Sequence, residues 1–329
     1  MSAKVSPMAY TNPRYETGPL SLIPKPIVPY FELMRFELPH GYYLGYFPHL
    51  VGIMYGASAG PERLPARDLV FQALLYVGWT FAMRGAGCAW NDNIDQDFDR
   101  KTERCRTRPI ARGAVSTTAG HVFAVAGVAL AFLCLSPLPT ECHQLGVLVT
   151  VLSVIYPFCK RFTNFAQVIL GMTLAANFIL AAYGAGLPAL EQPYTRPTMS
   201  ATLAITLLVV FYDVVYARQD TADDLKSGVK GMAVLFRNHI EVLLAVLTCT
   251  IGGLLAATGV SVGNGPYYFL FSVAGLTVAL LAMIGGIRYR IFHTWNGYSG
   301  WFYVLAIINL MSGYFIEYLD NAPILARGS

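Results

Sequence analysis

The sequence predicts an all-α, polytopic membrane protein, and three observations carry that prediction. Of 329 residues, 55% are hydrophobic and only 13% charged, with a mean hydropathy of +0.49, which excludes an ordinary soluble domain. Apolar runs close to the ~20 residues that cross hydrocarbon recur along the chain. Basic residues gather on alternate connections between those runs, as expected of a chain threading a bilayer.

In chain order, residues 1–28 read as a partly ordered cytosolic tail, because Pro13, Pro19, Pro24, Pro26 and Pro29 limit helix formation. No compact apolar stretch of signal-peptide type is present there. Residues 29–39 are expected at the membrane interface, with Arg35 either snorkelling to headgroups or facing a site. Nine spans follow, at about 41–58, 68–90, 117–136, 143–159, 165–187, 199–218, 239–260, 266–286 and 300–317, the run at 143–159 being the shortest. They define a transmembrane domain over 29–318, with a short tail at 319–329. Eighteen Lys and Arg fall on the side of the N-terminus; four (Arg63, Arg67, Arg196 and Arg327) fall on the other, and Arg84 lies inside a span. The N-terminus is therefore expected in the cytosol.

Two acidic stretches organise the chemistry. The first, Asn91-Asp-Asn-Ile-Asp95-Gln-Asp97-Phe-Asp99, follows the second apolar run. Residues 91, 95 and 99 would share one face of a continuing helix over roughly 12 Å. Asp92, Asp95, Asp97 and Asp99 repel one another, so something cationic must compensate them. The second stretch runs from Asp213 through Tyr216 and Arg218 to Asp220, Asp223 and Asp224, again at the end of an apolar run. Carboxylates at a helix C-terminus oppose the macrodipole, so neither cluster sits where helix stability would put it. Two such clusters suggest a shared divalent-metal site, and all-oxygen ligands point to Mg²⁺. Four crossings separate them, which returns both to the cytosolic face. The alignment of 91/95/99 with 216/220/224 is consistent with a parallel internal repeat.

Further polar residues bear on the same site. Arg84 lies seven residues before Asn91, at a depth where arginine is costly unless it faces a polar cavity or a partner. It would bind a substrate carboxylate or pair with Asp213. The basic loop 100–112, with Lys160-Arg161 and Lys226 to Lys230, either contacts lipid headgroups or grips phosphate. Tyr212 and Tyr216 would line an apolar tunnel and stabilise a cation. The six cysteines show no CxxC pairing and read as packing thiols, and the six histidines read as structural.

These stretches, NDNIDQDFD with RTRPIARG and DVVYARQDTADD with SGVKG, resemble the paired signatures of the UbiA superfamily of intramembrane prenyltransferases. MRGAGCAWND, YPFCKRFTNFAQ and ELMRFELPHG extend the resemblance over about 30–317. Within it the chain is similar to 4-hydroxybenzoate polyprenyltransferases, and to relatives that farnesylate orsellinic-type acids in fungal meroterpenoid pathways. The resemblance implies nine helices around a central cavity capped by cytosolic loops. It implies one Mg²⁺ on Asn91, Asp95 and Asp99 and another on Asp220 and Asp224, both bridging a prenyl diphosphate, farnesyl favoured. Arg100, Lys160 and Arg161 would contact the diphosphate beside Tyr216, while Asp213, Arg84 and Arg35 would position a phenolic acid, the choice between the two arginines staying open.

The expected reaction is loss of metal-neutralised diphosphate and attack by an aromatic carbon on the allylic cation. Asp213 would hydrogen-bond the phenol. The expected setting is the endoplasmic reticulum or another endomembrane, with the mitochondrial inner membrane as the ubiquinone-type alternative. No nucleic-acid partner is expected. A transporter or cation channel is the reading from another class, but its acids belong at the bilayer midplane rather than at one face.

Overall fold

The computed structural model describes residues 19–103, 105–288 and 295–320. Lys4, Arg14, Arg104, Arg290 and Arg327, which entered the charge balance, lie outside the described residues, as do most of the expected N-terminal tail and nearly all of the C-terminal one. Among the described residues every regular element is helical. They are α1 (Val28–Leu33), α2 (His40–Ala59), α3 (Ala66–Ile94), α4 (Gln96–Asp99), α5 (Thr117–Leu135), α6 (Thr140–Phe162), α7 (Ala166–Gly184) and α8 (Thr195–Ala217). There follow α9 (Thr221–Ser227), α10 (Met232–Leu235), α11 (Ile240–Val262), α12 (Pro266–Arg288) and α13 (Trp295–Asp320).

Seven of these, α5 to α8 and α11 to α13, are long and apolar enough to cross a bilayer. The other two expected spans are occupied by α2 and α3, of 20 and 29 residues. Their composition is less apolar, and α3 carries Arg84, Asn91, Asp92 and Asn93. The short run expected at 143–159 is a helix of 23 residues, Thr140–Phe162. Its first turn carries Glu141 and its last Lys160 and Arg161, charges that complement the macrodipole yet hide the helix ends from a hydropathy reading.

The long helices close into a ring in which α2 meets α3 and α13, and α8 meets α7 and α11. Burial separates centre from rim: 67% of the apolar window of α7 and of α8 is buried, against 22% for α5, whose Val122, Val125 and Leu133 point outward. The seam between α2 and α7 is built on small residues. A Cβ at Gly52 would lie 2.8 Å from Ala181, and one at Gly56 would lie 2.8 Å from the Ala182 carbonyl. Glycine four residues apart lets two helices approach where lipid supplies no hydrophobic drive between them. The cysteines are all free; Cys105, Cys142 and Cys159 are buried as expected, whereas Cys249 is exposed.

The helix bearing the first acidic motif does not continue through it. It ends at Asp95, whose backbone (φ −90°, ψ 5°) leaves the helical basin before α4 begins. The face expected to unite residues 91, 95 and 99 is therefore broken after one turn. The second motif breaks alike: Asp220 (φ −96°, ψ −3°) separates a 3-10 turn at Arg218–Asp220 from α9. This shared bend supports the repeat read from the spacing.

Candidate active site

Both motifs open into one cavity of about 770 Å³. Asn91, Asp95 and Asp99 line it from one half of the chain, and Tyr216, Asp220 and Asp224 from the other. Arg35, Arg84, Lys160 and Asp213 line it too, so ten of the twelve residues singled out in the sequence face a single space. Arg100 and Arg161 do not. Arg100 donates to Gln96 Oε1 at 2.9 Å and to the Ala111 carbonyl at 3.3 Å on the exposed side. Arg161 is held by Asp97 at 2.8 and 3.1 Å and by the Ile94 carbonyl at 2.6 Å, so it fastens α6 to the end of α3.

The acids of the first motif are not a solvated helix end. Asp92 is 1% exposed, and Asp95 and Asp99 are each 5% exposed, whereas the Asp97 side chain is 54% exposed. Buried carboxylates need partners, and each has one. Arg35 donates to Asp92 at 2.7 Å; Arg108 reaches Asp92 at 3.3 Å and both oxygens of Asp99 at 2.8 and 2.9 Å. Lys160 Nζ lies 3.3 Å from Asp95 Oδ2 and 3.4 Å from Asn91 Oδ1. Arg35 is thus a part-buried partner of the motif rather than a snorkelling side chain, and its backbone turns through φ +56° there. A non-glycine residue at positive φ is held there by its surroundings. Arg112 pairs with Glu32 and ties the basic loop to α1.

Ionisation follows the same division. Arg161 holds the exposed Asp97 carboxyl below the usual carboxylate value, chiefly by hydrogen bonding. Burial pushes Asp99 up, against the pull of Arg108.

Among the described residues no three His, Cys, Asp or Glu side chains converge closely enough to cage a metal by themselves. The oxygen donors nonetheless fit a hard divalent cation. Asn91 and Asp95 already share one cationic group, Lys160, and Asp95 Oδ1 is buried without a hydrogen-bond partner. Mg²⁺ keeps several waters and needs only one or two carboxylates beside a substrate phosphate.

Deeper in the cavity, Arg84 is not paired with Asp213. Its guanidinium lies 5.1 Å from the centre of the Tyr42 ring, its Nε is buried without a partner, and it forms no ion pair among the described residues. Gly41 makes room for it, since a methyl group there would coincide with the guanidinium. Asp213 instead lies near Lys160 and Gln167.

Sequence reasoning missed the centrality of Arg108, one of six basic residues in one loop with nothing to distinguish it. It also gave Asp92 no role, and it read all histidines as structural although His40 and His49 line the cavity.

Residues 46–299 match the UbiA prenyltransferase family. The chain is 75% identical to "Prenyltransferase stbC" of Stachybotrys bisbyi over 97% of its own length and 96% of that protein's. It is 42% identical to "DMOA farnesyltransferase nvfB" of Aspergillus novofumigatus over 78% of this chain and 80% of the other. Among solved structures, the apo form of a UbiA homologue from Aeropyrum pernix has the same fold (TM-score 0.67, 22% identity, 82% of this chain and 97% of that one). So does a UbiA homologue from Archaeoglobus fulgidus bound to GPP and Mg²⁺ (TM-score 0.59, 17% identity, 88% and 99%). The chain belongs to the UbiA prenyltransferase family and is a membrane-embedded prenyltransferase.

Proposed function

We propose that this enzyme transfers a farnesyl group from farnesyl diphosphate to an aromatic carbon of a phenolic carboxylic acid of the orsellinic type, with Mg²⁺, in meroterpenoid biosynthesis. The observation that carries the reading is one cavity with acids from both halves at its mouth and, two turns of α3 further in, an arginine that forms no ion pair among the described residues. The polarity of the two ends matches the two substrates: oxygen ligands for a metal-bound diphosphate, and a buried cation for a carboxylate. A relative named as a farnesyltransferase and a fold neighbour holding GPP and Mg²⁺ support the donor and the ion. Membership of a prenyltransferase family sets aside the transporter and channel readings.

In this reading Asn91, Asp95 and Asp99 hold one Mg²⁺, and Asp220 and Asp224 the other. The bound ions would neutralise the leaving diphosphate. Lys160 and Arg108, already seated on the first motif, turn to the phosphate oxygens as charge-assisted donors. Arg100 and Arg161 would reach the diphosphate only by leaving their present partners. Tyr216 lines the path of the allylic carbon. Arg84, without an ion pair among the described residues where Arg35 is committed to Asp92, takes the acceptor carboxylate; Arg35 positions the first motif through Asp92. Asp213 accepts a hydrogen bond from an acceptor phenol and raises the nucleophilicity of the ring. The apolar lining keeps water from the electrophile.

The test is purified enzyme in lipid nanodiscs with Mg²⁺, C10 to C30 prenyl diphosphates and a panel of phenolic acids. Farnesylated 2,4-dihydroxy-6-methylbenzoate is expected as the main product. Preference for 4-hydroxybenzoate with longer donors overturns the reading in favour of the ubiquinone-type reaction. The proposal includes an endomembrane location, which fluorescent tagging in the host cell tests against the mitochondrial inner membrane.

A further inference from the structure

Counted from the mouth, three walls of the cavity stop at nearly one depth. On α3 the lining runs from Asn91 down to Trp79, on α6 from Lys160 to Val149, and on α7 from Ala166 to Asn177. At a rise of about 1.5 Å per residue these stretches are about 18, 17 and 17 Å long. On α2 the lining ends at His49, and among the described residues none further along these four helices reaches the cavity.

A hydrogen-bonded plug closes the cavity at that level. The Trp79 indole N–H donates to Asn177 Oδ1 at 3.1 Å, joining α3 to α7. Trp79 is 1% exposed; its ring meets Phe132 edge to face at 5.7 Å, and a Cβ at Gly146 of α6 would lie 3.1 Å from it. The Asn177 side chain also reaches His49, whose ring is stacked on Tyr76 at 4.7 Å. An indole held in this way cannot swing aside without leaving its N–H unpaired in a membrane interior.

Above the plug, the side formed by α6 and α7 asks nothing polar of a ligand. Ser153 donates to the Val149 carbonyl at 2.7 Å and Thr173 to the Ile169 carbonyl at 2.7 Å, so each hydroxyl is satisfied within its own helix, beside Leu170 and Leu174. A prenyl tail entering from the acidic mouth therefore meets a sleeve without charge and then a wall. An extended chain advances about 1.2 Å per bond, so each isoprene unit, four bonds long, adds about 5 Å. Three units reach about 15 Å and four about 20 Å, against a depth of about 18 Å.

We infer that Trp79, locked by Asn177, sets the length of the donor: its ring meets the end of a C15 tail and turns a C20 tail away. This rests on the reading of the acidic mouth as the diphosphate site, and it names what would enforce the farnesyl preference proposed above.

The test uses full-length protein in nanodiscs with Mg²⁺ and geranyl, farnesyl and geranylgeranyl diphosphates, following turnover on 2,4-dihydroxy-6-methylbenzoate. Binding of the matching S-thiolo diphosphates, which do not react, is measured in parallel and needs no acceptor. Wild type is expected to favour C15 over C20 by at least about tenfold in both measurements. Trp79→Leu keeps the floor apolar but lowers it, and should erase that preference. Leu174→Phe, one turn above Asn177, should raise the floor and move the preference to C10. It leaves the Trp79–Asn177 bond in place, so it remains informative if Trp79→Leu folds poorly. A bond that merely fastens α3 to α7 would instead lower all three donors together. That result, or a wild-type ratio of C15 to C20 in either correctly folded variant, overturns the inference and leaves the farnesyl reading standing. A wild type that takes C20 as readily as C15 overturns both. Failure to bind any S-thiolo diphosphate defeats the diphosphate site itself, and the inference with it.

Discussion

The two acidic motifs share a bend and a cavity and differ in burial. At Asp95 and at Asp220 the backbone leaves the helix at nearly the same torsion angles and starts a short new helix. Yet the first motif buries Asp92, Asp95 and Asp99 among Arg35, Arg108 and Lys160, whereas none of the residues of 218–227 is buried. A carboxylate removed from water must bring its cations with it, while one that keeps contact with water need not. The first motif is therefore a closed charge network that a ligand must enter by exchange. The second lines the same cavity with side chains that are not buried. One local geometry thus serves two electrostatic regimes, chosen by the loops that cover it.

The sharpest way to break this contrast is to remove one acid from each side. Asp95→Ala and Asp220→Ala are each expected to lower turnover by at least about 10²-fold. They should differ in stability: Asp95→Ala leaves Lys160 facing a hole in a buried network, whereas Asp220 is not buried, so Asp220→Ala should lower the melting temperature less. Equal melting shifts would end the distinction. Chelation of divalent ions should abolish turnover in wild type, and Mg²⁺ should restore it; full activity in excess chelator would remove the reason for both motifs.

Arg108→Ala strips the cation shared by Asp92 and Asp99 and is expected to destabilise by about 3 kcal/mol in denaturant or thermal unfolding. The exposed pair gives the smallest effect. Arg161→Ala should cost a few tenths of a kcal/mol at pH 7. Because the Asp97 carboxyl is held below its ordinary value, that contribution is complete above about pH 4 and fades as pH falls through the folded-state value. Melting curves of wild type and Arg161→Ala should accordingly converge in acid.

Much of this was legible in the sequence, for reasons that can be named. Spans are visible because lipid demands unbroken apolar length, and only ends rich in charge, such as Thr140 to His143, escaped notice. The acids at 91–99 and 213–224 stood out because helix C-termini repel them. What stayed hidden depends on rotamer and depth. Nothing in a run of six basic residues says that Arg108, and not Arg100, turns inward. The break at Asp95 has no proline or glycine to announce it. His40 and His49 look like any lone histidines until they are found lining the cavity.

Along α2 the positions 41, 45, 52 and 56 are all glycine, yet a methyl group added at each would be felt in different places. At 41 and 45 it meets Arg84 and Thr80, side chains of the cavity wall; at 52 and 56 it meets the backbone of α7. An alanine walk down this single helix should therefore switch, midway, from enzymes that assemble but discriminate poorly between acids to chains that never assemble. One stripe of missing carbon atoms records where selection for chemistry gives way to selection for architecture.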